Sequence, residues 1–318
     1  MQTDEIPERV YIAHLSDSHI QTSSSSIGDT NFRLKKLQYF CNPMKGRYCS
    51  KILGHVLEHL DVRHLCFTGD LTNSGISKEY VEVRDIFLKK FIRRKKKEFK
   101  CNEADLLTLV PGNHDLSIAS DFSAFRPGVY FKKSFGQENP RITMFPYIKA
   151  TWHLGFMIIS INSCVPQSPF IEYGDIAKQL ILVRRLLRKF IKKTPAAGKL
   201  FKIIMMHHSP VRRFSTKLLD NMYNLSRVEM DSMIKVVKEF GINLIMCGHL
   251  HHFDVQQLPG TSCLVVDSGV CSHRDKNTHA VYCINTKKNT VESIEKRSWN
   301  EETGSIESSL LESIYSCT

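Results

Sequence analysis

Five apolar runs in this chain each stop at a short cluster of carboxylate, amide or imidazole side chains. Residues 10–16 run into Asp17-Ser18-His19, and 64–68 into Gly69-Asp70. Residues 106–110 run into Pro111 and then Gly112-Asn113-His114-Asp115. Residues 201–206 run into His207-His208-Ser209-Pro210, and 242–247 into Gly248-His249-Leu250-His251-His252. Short apolar runs bounded by Gly, Pro or Asn read as buried strands. Helical patterns separate them over 32–60 (broken near Asn42-Pro43 and Gly46), 78–99, 176–193 and 228–240. In the last, Met230, Met233, Ile234 and Val237 share one face. Strands alternating with helices predict an α/β fold around a parallel sheet. Such sheets bind ligands beyond the carboxyl ends of their strands. One sheet edge is therefore expected to gather all five clusters.

Taken singly, each cluster is an ordinary turn, since Asn, Asp and Gly are turn formers. Recurrence at five strand ends is hard to explain that way. In an extended segment residues i and i+2 face the same side, so Asp17 and His19 should face one point with Ser18 turned away. Asp17, His19, Asp70, Asn113, His207, His249 and His251 mix carboxylate, amide and imidazole, with no thiolate among them. Donors of this hardness suit Mn²⁺, Fe or Zn²⁺, and they suffice for two divalent ions. Two ions side by side clamp the attacking and leaving oxygens of a phosphoryl group. One carboxylate must bridge such a pair, and Asp70 is the natural choice. His114 stands beside the pair as a candidate catalytic acid or hydrogen-bond donor.

The order D-x-H, G-D, G-N-H-D, H-H-x-P, G-H-x-H resembles the calcineurin-like metallophosphoesterases, over residues 10 to about 270. It is most similar to the branch acting on cyclic nucleotides and glycerophosphodiesters. The resemblance implies a four-layer α/β/β/α sandwich. It also implies one ion on Asp17, His19, His251 and Asp70, and another on Asp70, Asn113, His207 and His249. A hydroxide between the ions would attack phosphorus in line, with His114 assisting the leaving or equatorial oxygen. Two positions depart from the family pattern. Ser18 replaces a Leu or Ile, and Ser209 replaces the first Pro of H-H-P-P. An ungapped match makes His207 the ligand, whereas an H-x-P spacing favours His208. Strand alternation lets only one of these neighbours face the ions.

The other histidines (His14, His55, His59, His64, His153, His273, His279) lack ligand spacing and read as surface or satisfied core residues. His252 stands where it could touch substrate. The ten cysteines form no CxxC pair, and several sit inside apolar runs. They are expected to be reduced, as in a cytoplasmic protein. No apolar stretch approaches the roughly 20 residues of a membrane helix, and the polar, acidic residues 1–9 give no signal-peptide pattern.

Net charge is +12, much of it in residues 89–97 and 184–193. Both runs are helix-like with interleaved apolar residues. Solvated helix faces explain them most simply; peripheral contact with an acidic membrane, on its inner face, is the sharper alternative. No nucleic-acid-binding module is recognisable. The domain is expected to span 1–298, with an aromatic-rich insertion at 117–150 as a possible lid. Residues 299–318 are expected to be a tail, either a docked helix or frayed. The substrate is expected to be a small phosphoester, with a nucleotide-linked lipid such as UDP-2,3-diacylglucosamine as a membrane-surface alternative. A catalytically silent protein-binding scaffold is the alternative outside enzymes.

Overall fold

The computed structural model describes residues 6–20, 46–59, 61–73, 75, 77–99, 101, 103–116, 131, 145–164, 173–211, 225–272, 277–300 and 302–311. The elements, in chain order, are β1 (Arg9–Leu15), α1 (Gly46–His59), β2 (Val62–Phe67), a helical stretch from Ser77–Val83 through Arg84–Ile92 to Arg93–Phe99, and β3 (Leu107–Leu109). Next come β4 (Tyr147–Thr151), β5 (Phe156–Ser160), α2 (Ala177–Lys193), β6 (Phe201–Met205), α3 (Arg227–Phe240) and β7 (Leu244–Cys247). The chain closes with β8 (Phe253–Gln257), β9 (Leu264–Ser268), β10 (His279–Asn285), β11 (Thr290–Asn300) and β12 (Ser305–Leu311).

The strands form two sheets, as the four-layer sandwich implied by the resemblance requires, and the five clusters do not share one sheet edge as the strand pattern alone suggested. The first runs β12-β11-β10-β1-β2-β3 and the second β4-β5-β6-β7-β9-β8. In the first, β1, β2 and β3 are parallel; in the second, β5, β6, β7 and β9 are parallel. The five clusters thus come from two sheets, three from one and two from the other. Alternation along a strand reports two buried faces. It does not report which sheet the strand joins.

Side-chain alternation shows how the sheets stack. In β6, Phe201, Ile203 and Met205 pack with Val10 and Ile12 of β1 and Tyr282 and Ile284 of β10, in a core between the sheets. Ile204 points the other way, toward Leu180, Val183 and Leu187 of α2 and Met233 and Val236 of α3. On the far side, Ala13 and Leu15 of β1 meet Ile52, Leu53 and Val56 of α1. The result is four layers, α/β/β/α. Each aliphatic chain so buried contributes about 1.5–3 kcal/mol. At α3, Ser226 and Glu229 form a reciprocal capping box, and Gly241 ends the helix in a left-handed conformation. Glu229 also accepts from the backbone N–H of Ile176, tying that cap to the start of α2.

The expected tail differs from what is found. The boundary at 298 falls inside β11, and β12 pairs antiparallel with it from Ile294↔Leu311 to Asn300↔Ser305. Residues 305–311 are therefore the edge strand of the first sheet, neither a helix nor frayed. Most of the 117–150 insertion, with the 21–45 segment and residues 312–318, lies outside the described residues; its residues 147–150 belong to β4. Among the described residues, no helix is long and apolar enough to cross a membrane.

Candidate metal centre

Each predicted ligand stands in the loop that follows its strand. These loops run side by side: Asp17 N–H donates to Gly69 O at 3.0 Å, His19 N–H to Asp70 O at 2.9 Å and Gly248 N–H to His207 O at 3.0 Å. Their backbone is unusual. Asp17, His19, Asp70, His249 and His251 all have positive φ, between 39° and 77°. Among the described residues only Asn289 joins them outside glycine. Left-handed non-glycine residues cost about 1–3 kcal/mol each and concentrate at functional sites. Asp17 and His19 do face one point, as expected, but through these turned conformations and not through strand alternation. Ser18 points away and donates to Leu71 O at 2.7 Å.

Three motif glycines make room for the cluster. A Cβ on Gly112 would lie 2.0 Å from Asp70 Oδ1, and one on Gly248 would lie 2.5 Å from Asp17 Oδ2. A Cβ on Gly69 would lie 2.6 Å from His207 Nδ1. No side chain fits at these distances, so the loops can approach only through glycine.

The side chains converge in two halves. Asp17, His19, Asp70 and His251 each place one ligand atom within 4.8 Å of the others, a group able to hold a metal ion. In the other half His207 Nε2 lies 2.9 Å from Asn113 Oδ1, and the His249 ring sits 5.0 Å from the His207 ring. Asp70 Oδ2 joins the halves, 3.6 Å from His19 Nε2 and 3.4 Å from His207 Nε2. Its partner Oδ1 is already engaged, accepting the His114 N–H at 2.9 Å. In the same way Asp17 Oδ2 accepts the His249 N–H at 3.0 Å. That leaves Asp17 Oδ1 facing His251 Nε2 at 3.2 Å and His19 Nε2 at 3.7 Å.

The hydrogen-bond pattern fits a cation. Carbonyls only accept, so the 2.7 Å contact from His207 Nδ1 to Thr68 O fixes the proton on Nδ1. In the neutral ring, as a metal would require, the lone pair on Nε2 then faces Asp70 and Asn113. Nε2 of His19 and Nε2 of His251 meet at 2.9 Å, where at most one can carry a proton between them. Asp17 Oδ1 is buried and makes no well-formed hydrogen bond among the described residues. Such an atom calls for a counter-charge.

Titration behaviour agrees. Burial alone would raise the Asp70 carboxyl, yet His207, His114 and His19 hold it well below the usual carboxylate range. Asp17 is held down too, by His19 and His251 against its burial. Burial lowers His19 to about 4. Burial also works against a charged His207, but Asp70 and then Asp17 outweigh it and raise the ring to about 10. Positive charge is thus favoured beside Asp70.

The family profile for calcineurin-like phosphoesterases matches residues 10–253, most of the chain and every one of these loops. The chain belongs to the calcineurin-like phosphoesterase family. As a member it is a metal-dependent phosphoester hydrolase. Solved structures share its fold. A purple acid phosphatase from yellow lupin (Lupinus luteus) is 12% identical with a TM-score of 0.56, aligned over 96% of this chain and 54% of its own. This chain therefore spans about half of the lupin enzyme. A dimetal phosphatase from Danio rerio is 10% identical with a TM-score of 0.55, aligned over 95% of this chain and 98% of its own. GAP50, described as the anchor in the inner membrane complex of Plasmodium, is 12% identical with a TM-score of 0.51, over 96% and 89%. At such identities these likenesses establish the fold alone. No curated protein matches the sequence.

Within the calcineurin-like frame, several residues matter that spacing did not single out. Asp115 is buried and takes hydrogen bonds from Leu71 N, Thr72 N, Thr72 Oγ1 and Gly112 N at 2.9–3.2 Å. It thereby clamps the Asp70 loop to the Asn113 loop. Burial and the neighbouring Asp70 push its carboxyl up to about 6. Its place in the G-N-H-D tetrapeptide was visible, but three of its four partner atoms, on Leu71 and Thr72, lie over 40 residues away. Thr68 O, a backbone atom, has no sequence signal. His208 is buried and turned from the ion-facing point toward Ser163. His14, between Tyr282 Oη and Thr68 Oγ1, and His64, between Asp105 O and Thr108 Oγ1, are satisfied core residues as expected. His252 is exposed; His273 lies outside the described residues.

Proposed function

We propose that this chain is a two-metal phosphohydrolase acting on phosphodiesters. The observation that carries this reading is Asp70 Oδ2, placed between His19 Nε2 and His207 Nε2 at 3.6 and 3.4 Å. Asp17, His19, His251 and Asp70 would hold one ion, and Asp70, Asn113, His207 and His249 the other. When bound, two such ions make a nucleophile from water at neutral pH and stabilise charge on the transferring phosphoryl group.

The chain's own groups do the rest. Asp115 keeps the two central loops in register. The backbone N–H of His114 fixes Asp70 Oδ1, so that Oδ2 faces inward. His114 Nδ1 lies 2.8 Å from Asn73 O and must donate to it. Its Nε2 therefore gives a proton to a leaving oxygen only from the doubly protonated ring. The ring stands edge-on to His19 at 4.6 Å, beside the ion-facing atoms. Mn²⁺, Fe and Zn²⁺ all match the donor set. The resemblance to the cyclic-nucleotide and glycerophosphodiester branch is what supports diesters over monoesters. All seven ligand positions are occupied by competent donors, which speaks against a silent scaffold.

The test is hydrolysis of bis-p-nitrophenyl phosphate and of p-nitrophenyl phosphate by protein reconstituted with Mn²⁺, Fe²⁺, Zn²⁺ or Co²⁺. Metal-dependent turnover with the diester ahead is expected. Turnover of the monoester alone would remove the diester assignment, and no turnover with any ion would favour the scaffold.

One surface favours membrane contact, as a nucleotide-linked lipid substrate would require. α2 contains no acidic residue. Its outward side exposes Ile181 (63%) and Leu182 (41%) among Lys178, Arg185, Lys189 and Lys192. Arg184 and Arg188 are paired with Glu239 at 2.6 Å. The four outward cations have no ion pair among the described residues. Exposed aliphatics between cations suit an anionic bilayer better than they suit water or nucleic acid. Co-sedimentation should be strong with phosphatidylglycerol vesicles, weak with phosphatidylcholine, and reduced by Ile181→Asp with Leu182→Asp. Equal recovery with both lipids, or none with either, would contradict this contact.

A further inference from the structure

Ser163 follows β5 and is fully buried. Its Oγ lies 3.2 Å from the backbone N of His207, 3.0 Å from that of His208, and 2.9 Å from His208 Nδ1. A hydroxyl has two lone pairs and one proton. Backbone N–H groups only donate, so the two of them occupy both lone pairs. The hydroxyl proton must then go to His208 Nδ1. That nitrogen is consequently bare, and the neutral ring carries its hydrogen on Nε2.

We propose that Ser163 is a positioning residue. It assigns the ion-facing role to His207 and holds His208 turned away, as a support behind the second ion. The inference rests on the two-ion reading given above. By gripping two successive N–H groups, Ser163 fixes the peptide from which both rings depart. His207 is thereby aimed at Asn113 and Asp70, with its Nδ1 held on Thr68 O. His208 is turned the other way. Its ring packs 4.4 Å from that of His249, at 47°, and 5.2 Å from that of His207, at 84°. It thus braces the two imidazoles assigned to one ion. One hydroxyl thus settles two things: which of the paired histidines reaches the centre, and in which tautomer the other waits beside it.

Two measurements test this. The first is the ¹⁵N signature of the His208 ring in the metal-free wild-type protein. A bare Nδ1 and a protonated Nε2 are expected. A protonated Nδ1 overturns the proposal whatever the metal content. The second is Mn²⁺ titration by calorimetry of wild type, Ser163→Ala, Ser163→Thr, His208→Asn and His208→Leu. Ser163→Ala is expected to weaken one of the two ions about 10- to 100-fold and leave the other unchanged, the range for loss of a group that orients a ligand. Ser163→Thr, which keeps the hydroxyl, should restore it. Asn at 208 can place its Oδ1 where Nδ1 was, so His208→Asn should bind as wild type and His208→Leu as Ser163→Ala. Unchanged affinities in Ser163→Ala overturn the proposal. Equal losses in His208→Asn and His208→Leu overturn it as well, because His208 would then itself be a ligand. If Ser163→Ala does not fold, the His208 pair and the ¹⁵N measurement still decide. Wild-type protein that binds one ion defeats the two-ion reading, while the ¹⁵N result judges Ser163 separately.

Discussion

Asp70→Ala is expected to empty both ion positions and to reduce hydrolysis to the metal-free background. Every other proposed ligand serves one half of the centre; Asp70 Oδ2 alone faces both, at 3.6 and 3.4 Å. The substitution also removes the acceptor of the His114 N–H and the carboxylate that raises His207. Two imidazole groups then face each other without a counter-charge between them, which disfavours a dication. Loss of several kcal/mol of charge stabilisation corresponds to at least about 10³-fold in rate. Metal analysis by mass spectrometry, with rates on the diester, checks both halves of the statement. Two ions retained by Asp70→Ala would remove the bridging role.

His114→Ala should behave oppositely: metal content kept, turnover lost. The side chain of His114 is not among the donors that converge on either half. What it contributes to the frame is its backbone N–H on Asp70 Oδ1, and alanine retains that. The ring's own tie, Nδ1 to Asn73 O, aims Nε2 toward the centre beside His19. Removing a positioned general acid costs about 10²–10⁴-fold. Metal titration should match wild type while kcat falls within that range. A parallel loss of metal would mean that His114 helps to hold an ion.

Much of this centre was legible in the sequence because strand ends carry two signals at once. The apolar run fixes where the strand stops, and the polar cluster after it names the chemistry. That coincidence, repeated at Asp17, Asp70, Asn113, His207 and His249, located each loop. It did not reveal that β6 and β7 belong to a different sheet from β1, β2 and β3, since a doubly buried strand reads the same in either. Nor did it reveal β12. Residues 305–311 are mostly polar, as an exposed edge strand is, and polar edges look like tails. Alternation gave the right answer for Asp17 and His19 through the wrong geometry, because ligand residues adopt left-handed backbone that no period describes. Ser163 was invisible for another reason. It lies three residues past β5, between Asn162 and Cys164 and outside any ligand spacing, and its meaning comes wholly from His207 and His208, over 40 residues away.

The most direct measurement is anomalous X-ray scattering from crystals grown with Mn²⁺. Two peaks are expected, about 3.5–4 Å apart, with Asp70 Oδ2 between them, His19 and His251 on one and His207 on the other. A single peak, or a pair in which neither ion touches Asp70, would contradict the two-ion centre.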